Sequence, residues 1–473
     1  MNSNSQLVAE NKNKADEHSL KKELTVFDSI CIVVGSVVGS GIFVSPTRVF
    51  ELLNESALFS LIAWICAALI SIAGALCYAE LGCLFPRAGA EYQYLKNGIG
   101  KFWGFIFSWT QLTVLGTGSI AIMAIISANY LVQVLFPGTL EEDLYTKMAA
   151  SLLIAILTIA NCFGVKSGSL VQNVLTIAKV AGIGFLILLG VYYFPELNFG
   201  NLFSSGNASI ENFNFFETAF HFGSAMIACL WAYDGWNNLS RVTEESINVS
   251  KSLPIGLIMG ILITSIIYLC LNCFYFSALS PEEIVGNKAI AISAVTSLGD
   301  SAGWLNSLGV FVLLGLLISL SAGGATNGSL LSGARIYFAA ARDGLFFKSF
   351  SKLDPKSKAP ISSLLIQGIW AIALVWIGKN FETLLDYFSF SAWLFYAASA
   401  GVLIYLRMTK PNIFRPYKVL LYPLTPIVFL FGASFLVLSQ IVNSPIPSLW
   451  SLVGVFSGSV FYFLLFRKVQ REN

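Results

Sequence analysis

Three observations in the sequence predict an all-α integral membrane protein of about twelve spans. Of 473 residues, 56% are hydrophobic and only 11% charged, less than half the roughly 25% charged residues of soluble domains. Apolar runs near or above the ~20 residues that cross a bilayer recur along the whole chain. Two of these runs, the first and the sixth, are interrupted by glycine and polar residues at mid-membrane depth.

The runs lie at 25–52, 57–85, 98–135, 147–163, 168–193, 216–248, 252–279, 303–341, 361–378, 383–407, 419–441 and 447–466. Residues 1–26 form a polar tail rich in Asn, Lys and Glu, with no cleavable signal peptide, so the first helix is expected to direct insertion. The two breaks open two successive groups of five helices, 27–193 and 194–407. Five is odd, so the groups have opposite topology, the inverted repeat of many secondary transporters. Helices 11 and 12 occupy 408–466, and 467–473 is a second tail.

Charge sets the orientation. Only Arg48, Lys147, Lys288 and Lys379 fall on the side away from the termini, and Lys179 and Arg335 fall deep inside spans. The rest of the 28 Lys and Arg lie on the side of the termini, which places both termini in the cytoplasm of a plasma or bacterial inner membrane. A net charge of +2 excludes a strongly basic nucleic-acid binder.

The eight cysteines lie in or beside apolar runs, which implies no extracellular disulfide framework. Cys270-x-x-Cys273 sits in a continuous apolar helix without a nearby His or further Cys, and reads as packing rather than as a redox or zinc pair. His18 and His221 are the only histidines, and there is no Walker loop, metal-ligand cluster or Ser/His/Asp set. Neither an enzyme nor a cofactor is expected. Asn207-Ala-Ser209 matches a glycosylation acceptor on an outer loop. His221 falls near the outer start of helix 6, and Arg335 on the inner half of helix 8 is expected to cap or pair.

The breaks carry the chemistry. In the first, Gly35-Ser-Val-Val-Gly-Ser-Gly41, the glycines permit an unwound turn whose freed N–H groups, at the start of the following half-helix, suit a carboxylate. Ser40 adds a hydroxyl. Gly35-x-x-x-Gly39 alone also fits a helix-packing face. The second break, Trp231-Ala-Tyr-Asp-Gly-Trp-Asn-Asn238, holds Asp234 at membrane depth, where an acid usually serves a function. Carbonyls freed there suit a substrate ammonium, and Trp231 is placed to close over a ligand as a gate; Trp236 fits packing equally well. Lys179 lies near the centre of the run 168–193. A buried ammonium needs carbonyl or hydroxyl partners, so it either replaces a coupling sodium ion, carries a coupling proton, or snorkels along a wet vestibule.

These residues resemble a known family. Gly39-Ser-Gly-Ile-Phe43, Tyr78-Ala-Glu-Leu-Gly82 and Pro86-Arg-Ala-Gly-Ala-Glu-Tyr92 are similar to motifs of the amino acid–polyamine–organocation (APC) superfamily. Trp231-Ala-Tyr-Asp-Gly-Trp-Asn237 running to Val242-Thr-Glu-Glu245, Asn161-Cys162 with Val165-Lys166, and the lone Lys179 resemble its L-type amino-acid transporter branch and bacterial relatives. Arg342-Asp-Gly344 matches the end of helix 8. The resemblance implies a LeuT-like fold, ten core helices plus two, and sodium-independent exchange of amino acids by alternating access. It implies a substrate carboxylate at the backbone of Ser40, Gly41 and Ile42, an amine at carbonyls near Val37, Trp231, Ala232 and Asp234, and a gate at Trp231. Lys179 takes the place of the missing sodium, and Ser119 and Trp393 line the pocket. The loop from Leu135 to Lys147 lacks the cysteine that light chains use to join a glycoprotein, so no disulfide-linked heavy chain is expected.

The expected function is exchange of neutral L-amino acids, with the bilayer as the surrounding partner. A proton-coupled amino-acid or polyamine symporter, using Asp234 and Lys179, is the competing reading. A receptor or channel is a third, less suited to paired broken helices.

Overall fold

A computed structural model describes residues 22–136, 139–193, 197–203, 215–287, 289–298, 307–378 and 381–466. Residues 1–21 of the first tail, the 467–473 tail, the Asn207–Ser209 sequon, Lys288 and Lys379 lie outside the described residues.

The described residues are helical almost throughout. The first run forms α1 (Val26–Val37) and α2 (Gly41–Leu52). Then come α3 (Ala57–Leu84), a short α4 (Glu91–Ile99), and α5 (Lys101–Thr110), which passes through a π-turn at Gln111–Leu115 into α6 (Gly116–Leu135). Next are α7 (Glu142–Cys162), α8 (Val165–Tyr192), α9 (Phe215–Tyr233), α10 (Asn238–Arg241) and α11 (Val249–Ala278). After the short α12 (Pro281–Ile284) and α13 (Ile290–Thr296) follow α14 (Ser307–Arg342), α15 (Ile361–Ile377), α16 (Phe381–Thr409), α17 (Leu424–Asn443) and α18 (Pro445–Phe461).

Local chemistry sets several starts. Thr25 and Asp28 form a capping box at α1, with the Asp28 carboxylate accepting the Thr25 N–H at 2.9 Å. The Ser56 hydroxyl accepts the Phe59 N–H at α3. Ser280 and Glu283 form a second box, with Pro281 at the first position of α12.

Among the described residues, nine helices are long and apolar enough to cross a bilayer, and α1 with α2 makes a tenth crossing bent by 47°. Two of the twelve expected runs hold shorter apolar helices, residues Ala219–Tyr233 of α9 and the 17-residue α15. The sixth run therefore departs from expectation. Its helix stops at Tyr233, and beyond the turn only the four-residue α10 forms before a 3-10 turn at Thr243–Glu245. The reason is compositional: Asn237, Asn238, Arg241, Thr243, Glu244 and Glu245 supply polar groups that bond to other elements rather than continue an apolar rod. Helices α4, α12 and α13 arise in segments that the hydropathy pattern left as connections.

Lipid-facing and core-facing residues separate by helix. Leu152, Ile156 and Ile159 of α7, and Val174, Ile177 and Leu188 of α8, are exposed apolar side chains, as a bilayer solvent requires. The charges concentrate at one end of the bundle, in ion pairs. Glu80 of α3 binds Arg407 of α16 through two bonds of 2.8 and 2.6 Å and lies 3.1 Å from the Arg415 guanidinium. Glu244 receives two bonds from Arg342, at 2.7 and 2.8 Å. Lys96 and Tyr92 of the α4 segment both bond Asp343. Arg335 pairs with Glu245 at 2.9 Å with neither side chain exposed, which meets the expectation that Arg335 pairs. The N-terminal segment closes over this pair: the Glu23 and Leu24 N–H groups donate to the Glu245 carbonyl, both at 2.9 Å.

A guanidinium stripped of its only carboxylate in a dry interior is strongly unfavourable. Glu245→Ala is expected to lower unfolding free energy by about 3–5 kcal/mol. The double variant Glu245→Leu/Arg335→Met is expected to regain most of that loss. Thermal unfolding in detergent measures both.

Candidate functional site

The site is built where the two interruptions meet. Helix α1 ends at Val37, and Val38 leaves helical geometry at φ −68°, ψ 83°. Ser40 then opens α2 without a side-chain capping bond. The Phe43 N–H donates to the Ser40 carbonyl at 3.0 Å, whereas the Gly41 and Ile42 amides have no partner within their own helix, so this end presents N–H donors and the positive end of a helix dipole.

The second interruption is the turn at residues 234–237 between α9 and α10. It is pressed directly on the first. A side-chain carbon on Gly41 would fall 2.6 Å from the Ala232 Cα, and one on Gly235 would fall 2.9 Å from the Ser36 carbonyl oxygen. Gly235 also has φ +109°, which favours glycine. Glycine is therefore required at both positions for the backbones to touch.

Three side chains from elsewhere satisfy the freed carbonyls. Lys179 of α8, with no exposed surface, donates from Nζ to Gly35 O at 2.5 Å, Val38 O at 2.8 Å and Ser321 O at 3.3 Å. The Ser321 hydroxyl also donates to Val38 O at 3.1 Å. Of the readings open for Lys179, the bonded geometry removes snorkelling: its ammonium is held by three carbonyls rather than by water. The Tyr268 hydroxyl of α11 lies between the breaks, 2.8 Å from Val37 O and 2.9 Å from Ala232 O, and shares its one proton between them. Those are two of the carbonyls expected to receive a substrate amine. In this conformation an ammonium reaches them by sharing with, or displacing, Tyr268.

Asp234 begins a buried polar chain. It accepts from the Tyr396 hydroxyl at 2.5 Å, and Tyr396 accepts from Asn237 Nδ2 at 3.0 Å. Asn237 Nδ2 also donates to Glu91 Oε1 at 2.7 Å. Glu91 pairs with Arg241 at 3.2 Å, and Arg241 donates to Asn238 Oδ1 at 3.0 Å. The chain links α4, α10 and α16.

A small cavity of about 30 Å³ lies against the breaks, with Ser36, Gln111, Ser119, Asp234, Glu91 and Tyr396 among its walls. Its volume suits a water molecule rather than an amino acid. Of the residues picked from the sequence, it brings together Ser119 and Asp234. Ser40 approaches through its hydroxyl, which lies 3.6 Å from the sulfur of the wall residue Met123. Val37, Gly41, Ile42, Trp231 and Ala232 are buried around the breaks without forming the wall. Trp393 is buried too, packed edge-on against Tyr396 and against Phe429, one layer behind the cavity. Among the described residues no cluster of three or more His, Cys, Asp or Glu is placed to hold a metal ion.

Tyr268, Ser321, Gln111, Glu91 and Tyr396 are members of the site that the sequence does not single out. Glu91 belongs to the Pro86–Tyr92 motif, and Tyr268 is one of two phenols in its apolar run, a weak signal. The others carry none that a single sequence displays.

Tyr268→Phe keeps the ring contacts with Trp64 and Tyr233 but removes the bridging proton. It is expected to lower stability by about 1–3 kcal/mol. Tyr275→Phe, whose hydroxyl has no hydrogen-bond partner among the described residues, is expected to be nearly neutral in the same unfolding assay.

Comparison with known sequences bears on the site. The family described as amino acid permease matches residues 24–466. The b(0,+)-type amino acid transporter 1 of Mus musculus is 34% identical over 447 residues, covering 94% of this chain and 88% of that protein. The Homo sapiens protein of the same name is 32% identical over 448 residues, again covering 94% and 88%. The large neutral amino acids transporter small subunit 2 of Mus musculus is 32% identical over 446 residues, covering 94% of this chain and 81% of that protein.

Proposed function

The chain belongs to the amino acid permease family, and on that premise we propose that it exchanges neutral L-amino acids across a cell membrane by sodium-independent alternating access. It is an integral membrane transporter of amino acids and not an enzyme. The names of the relatives, which specify amino acids and large neutral amino acids, support the substrate class.

The observation that carries this reading is the meeting of two helix breaks at Gly41 and Ala232, braced by Lys179. An amino-acid zwitterion needs donors for its carboxylate and acceptors for its ammonium. The uncapped start of α2 at Ser40, Gly41 and Ile42 supplies the first. The carbonyls of Val37, Trp231, Ala232 and Asp234 supply the second. Trp231 closes over the ligand as the gate, and Ser119 with Trp393 shapes the side-chain end. Lys179 supplies, as a tethered cation, the carbonyl ligation a sodium ion would otherwise give.

Alternating access follows from the small cavity and from the ion pairs clustered at one end. The architecture proposed is a LeuT-like five-plus-five inverted repeat of 27–193 and 194–407, followed by helices 11 and 12. The bend at Val38–Ser40 and the turn at 234–237 are the paired discontinuities such a repeat requires. Both termini face the cytoplasm in this reading, so the Glu244–Arg342 and Glu245–Arg335 end is the inner one.

Purified protein in liposomes loaded with L-leucine is expected to take up labelled L-leucine by counterflow with sodium absent. Absence of counterflow across a full amino-acid panel, or uptake that requires a proton gradient and no internal substrate, contradicts the proposal. Lys179→Ala is expected to reduce exchange by at least about tenfold, the equivalent of one lost charge-assisted hydrogen bond. A thermal midpoint measured alongside separates this loss from unfolding.

A further inference from the structure

The connection between α16 and α17, residues 410–423, contains no helix or strand, yet side-chain bonds hold it in place. The Arg415 guanidinium is buried and donates to the carbonyls of Leu406, Lys410, Pro411 and Ile413 at 3.0–3.1 Å. Glu80, near the end of α3 and with no exposed surface, anchors the base. Its carboxylate binds Arg407, accepts the Val419 N–H at 2.7 Å and lies 3.1 Å from Arg415. Arg407 also lies over the Tyr422 ring, 4.6 Å from its centre.

This anchored connection displays an apolar face. Phe414 is 82% exposed, Leu421 75% and Leu420 60%. The face continues along α17 through Leu424, Val428 and Phe431, all exposed. Their spacing of four and three residues puts them on one side of that helix, within the surface that faces hydrocarbon. Continuity with that surface identifies the cover of the loop as the edge of the same bilayer.

Charge narrows the lipid. Residues 407–424 hold four cations, Arg407, Lys410, Arg415 and Lys418, and no Asp or Glu. Among the described residues Glu80 is the one carboxylate paired with any of them. Lys410 and Lys418 are exposed and have no carboxylate partner among the described residues. Apolar side chains flanked by unpaired lysines, at the end of two spans, match the boundary where acyl chains meet phosphate headgroups. A zwitterionic lipid supplies the chains and leaves the charge unbalanced, whereas an anionic lipid supplies both.

We propose that the α16–α17 connection is a binding site for anionic phospholipid. Phe414, Leu420 and Leu421 enter the headgroup–acyl boundary, and Lys410 and Lys418 take the phosphates. Glu80 ties this site to α3. The site requires only that the chain be an integral membrane protein; neither the exchange of amino acids nor the side of the membrane enters.

The test uses full-length protein in which Phe414 is replaced by the photoreactive p-benzoylphenylalanine, in nanodiscs of equal phosphatidylglycerol and phosphatidylcholine. Irradiation followed by mass spectrometry is expected to show lipid adducts, with phosphatidylglycerol about fivefold over phosphatidylcholine, roughly the weight of one lysine at an acidic surface. The ratio is expected to fall to about one in Lys410→Gln/Lys418→Gln and to persist in Lys410→Arg/Lys418→Arg. The same probe at Leu420 gives the readout if the variant at 414 fails to fold. No lipid adduct at either position overturns the membrane contact. A ratio near one in wild type, or an unchanged ratio in the double glutamine variant, overturns the headgroup site. Adducts with a second copy of the chain alone assign the face to a protein contact and overturn the lipid. Counterflow is not read in this experiment, so its failure leaves the transport reading standing, and a protein without counterflow still tests the lipid site.

Discussion

Backbone groups released inside a bilayer have to be bonded by protein, and in this chain the Lys179 ammonium does most of that for the first broken helix. It reaches from α8 to the Gly35 and Val38 carbonyls, on either side of the point where α1 ends. Without a partner those carbonyls would cost several kcal/mol each in a lipid-like interior. With one, the chain can stop being a helix for three residues and start again 47° away. The site depends on that interruption, because only a restarted helix offers bare amides to a ligand.

The same logic joins the two breaks. Tyr268 serves one carbonyl from each, so neither turn is satisfied independently of the other. Contact of Gly41 with Ala232, and of Gly235 with the Ser36 carbonyl, leaves no room between the two backbones. A ligand that enters must therefore move α2 against α9, or compete for the groups Tyr268 now holds. The chain Asp234–Tyr396–Asn237–Glu91–Arg241 runs from the second break toward the ion pairs at one end.

Much of this is legible in the residues. Recurrent long apolar runs with few charges report a lipid solvent, and glycine beside polar residues inside such a run reports a break, because few other compositions tolerate irregular backbone at that depth. Lys179 is legible for the same reason: a lone ammonium in an apolar run has to find carbonyls. The partners that come from distant elements carry no local pattern and are not legible. Tyr268 reads as one aromatic among many, and Ser321 as a small polar residue in a small-residue stretch. The second half of the sixth run differs from expectation because hydropathy extends the apolar helix before the turn across polar residues. Those residues instead bond α4, α14 and the N-terminal segment. The resemblance to a family supplies the substrate contacts, and of these the residues lining the small cavity here are Ser119 and Asp234.

The central claim is that bare peptide groups at the two breaks cradle a zwitterion. A cryo-electron microscopy map of the protein saturated with L-leucine tests it most directly. The account predicts density for the carboxylate about 3 Å from the amides of Gly41 and Ile42, with α1 and α2 still separated and Lys179 still on its carbonyls. Leucine density remote from both breaks, or a straight unbroken first helix around the ligand, would contradict it.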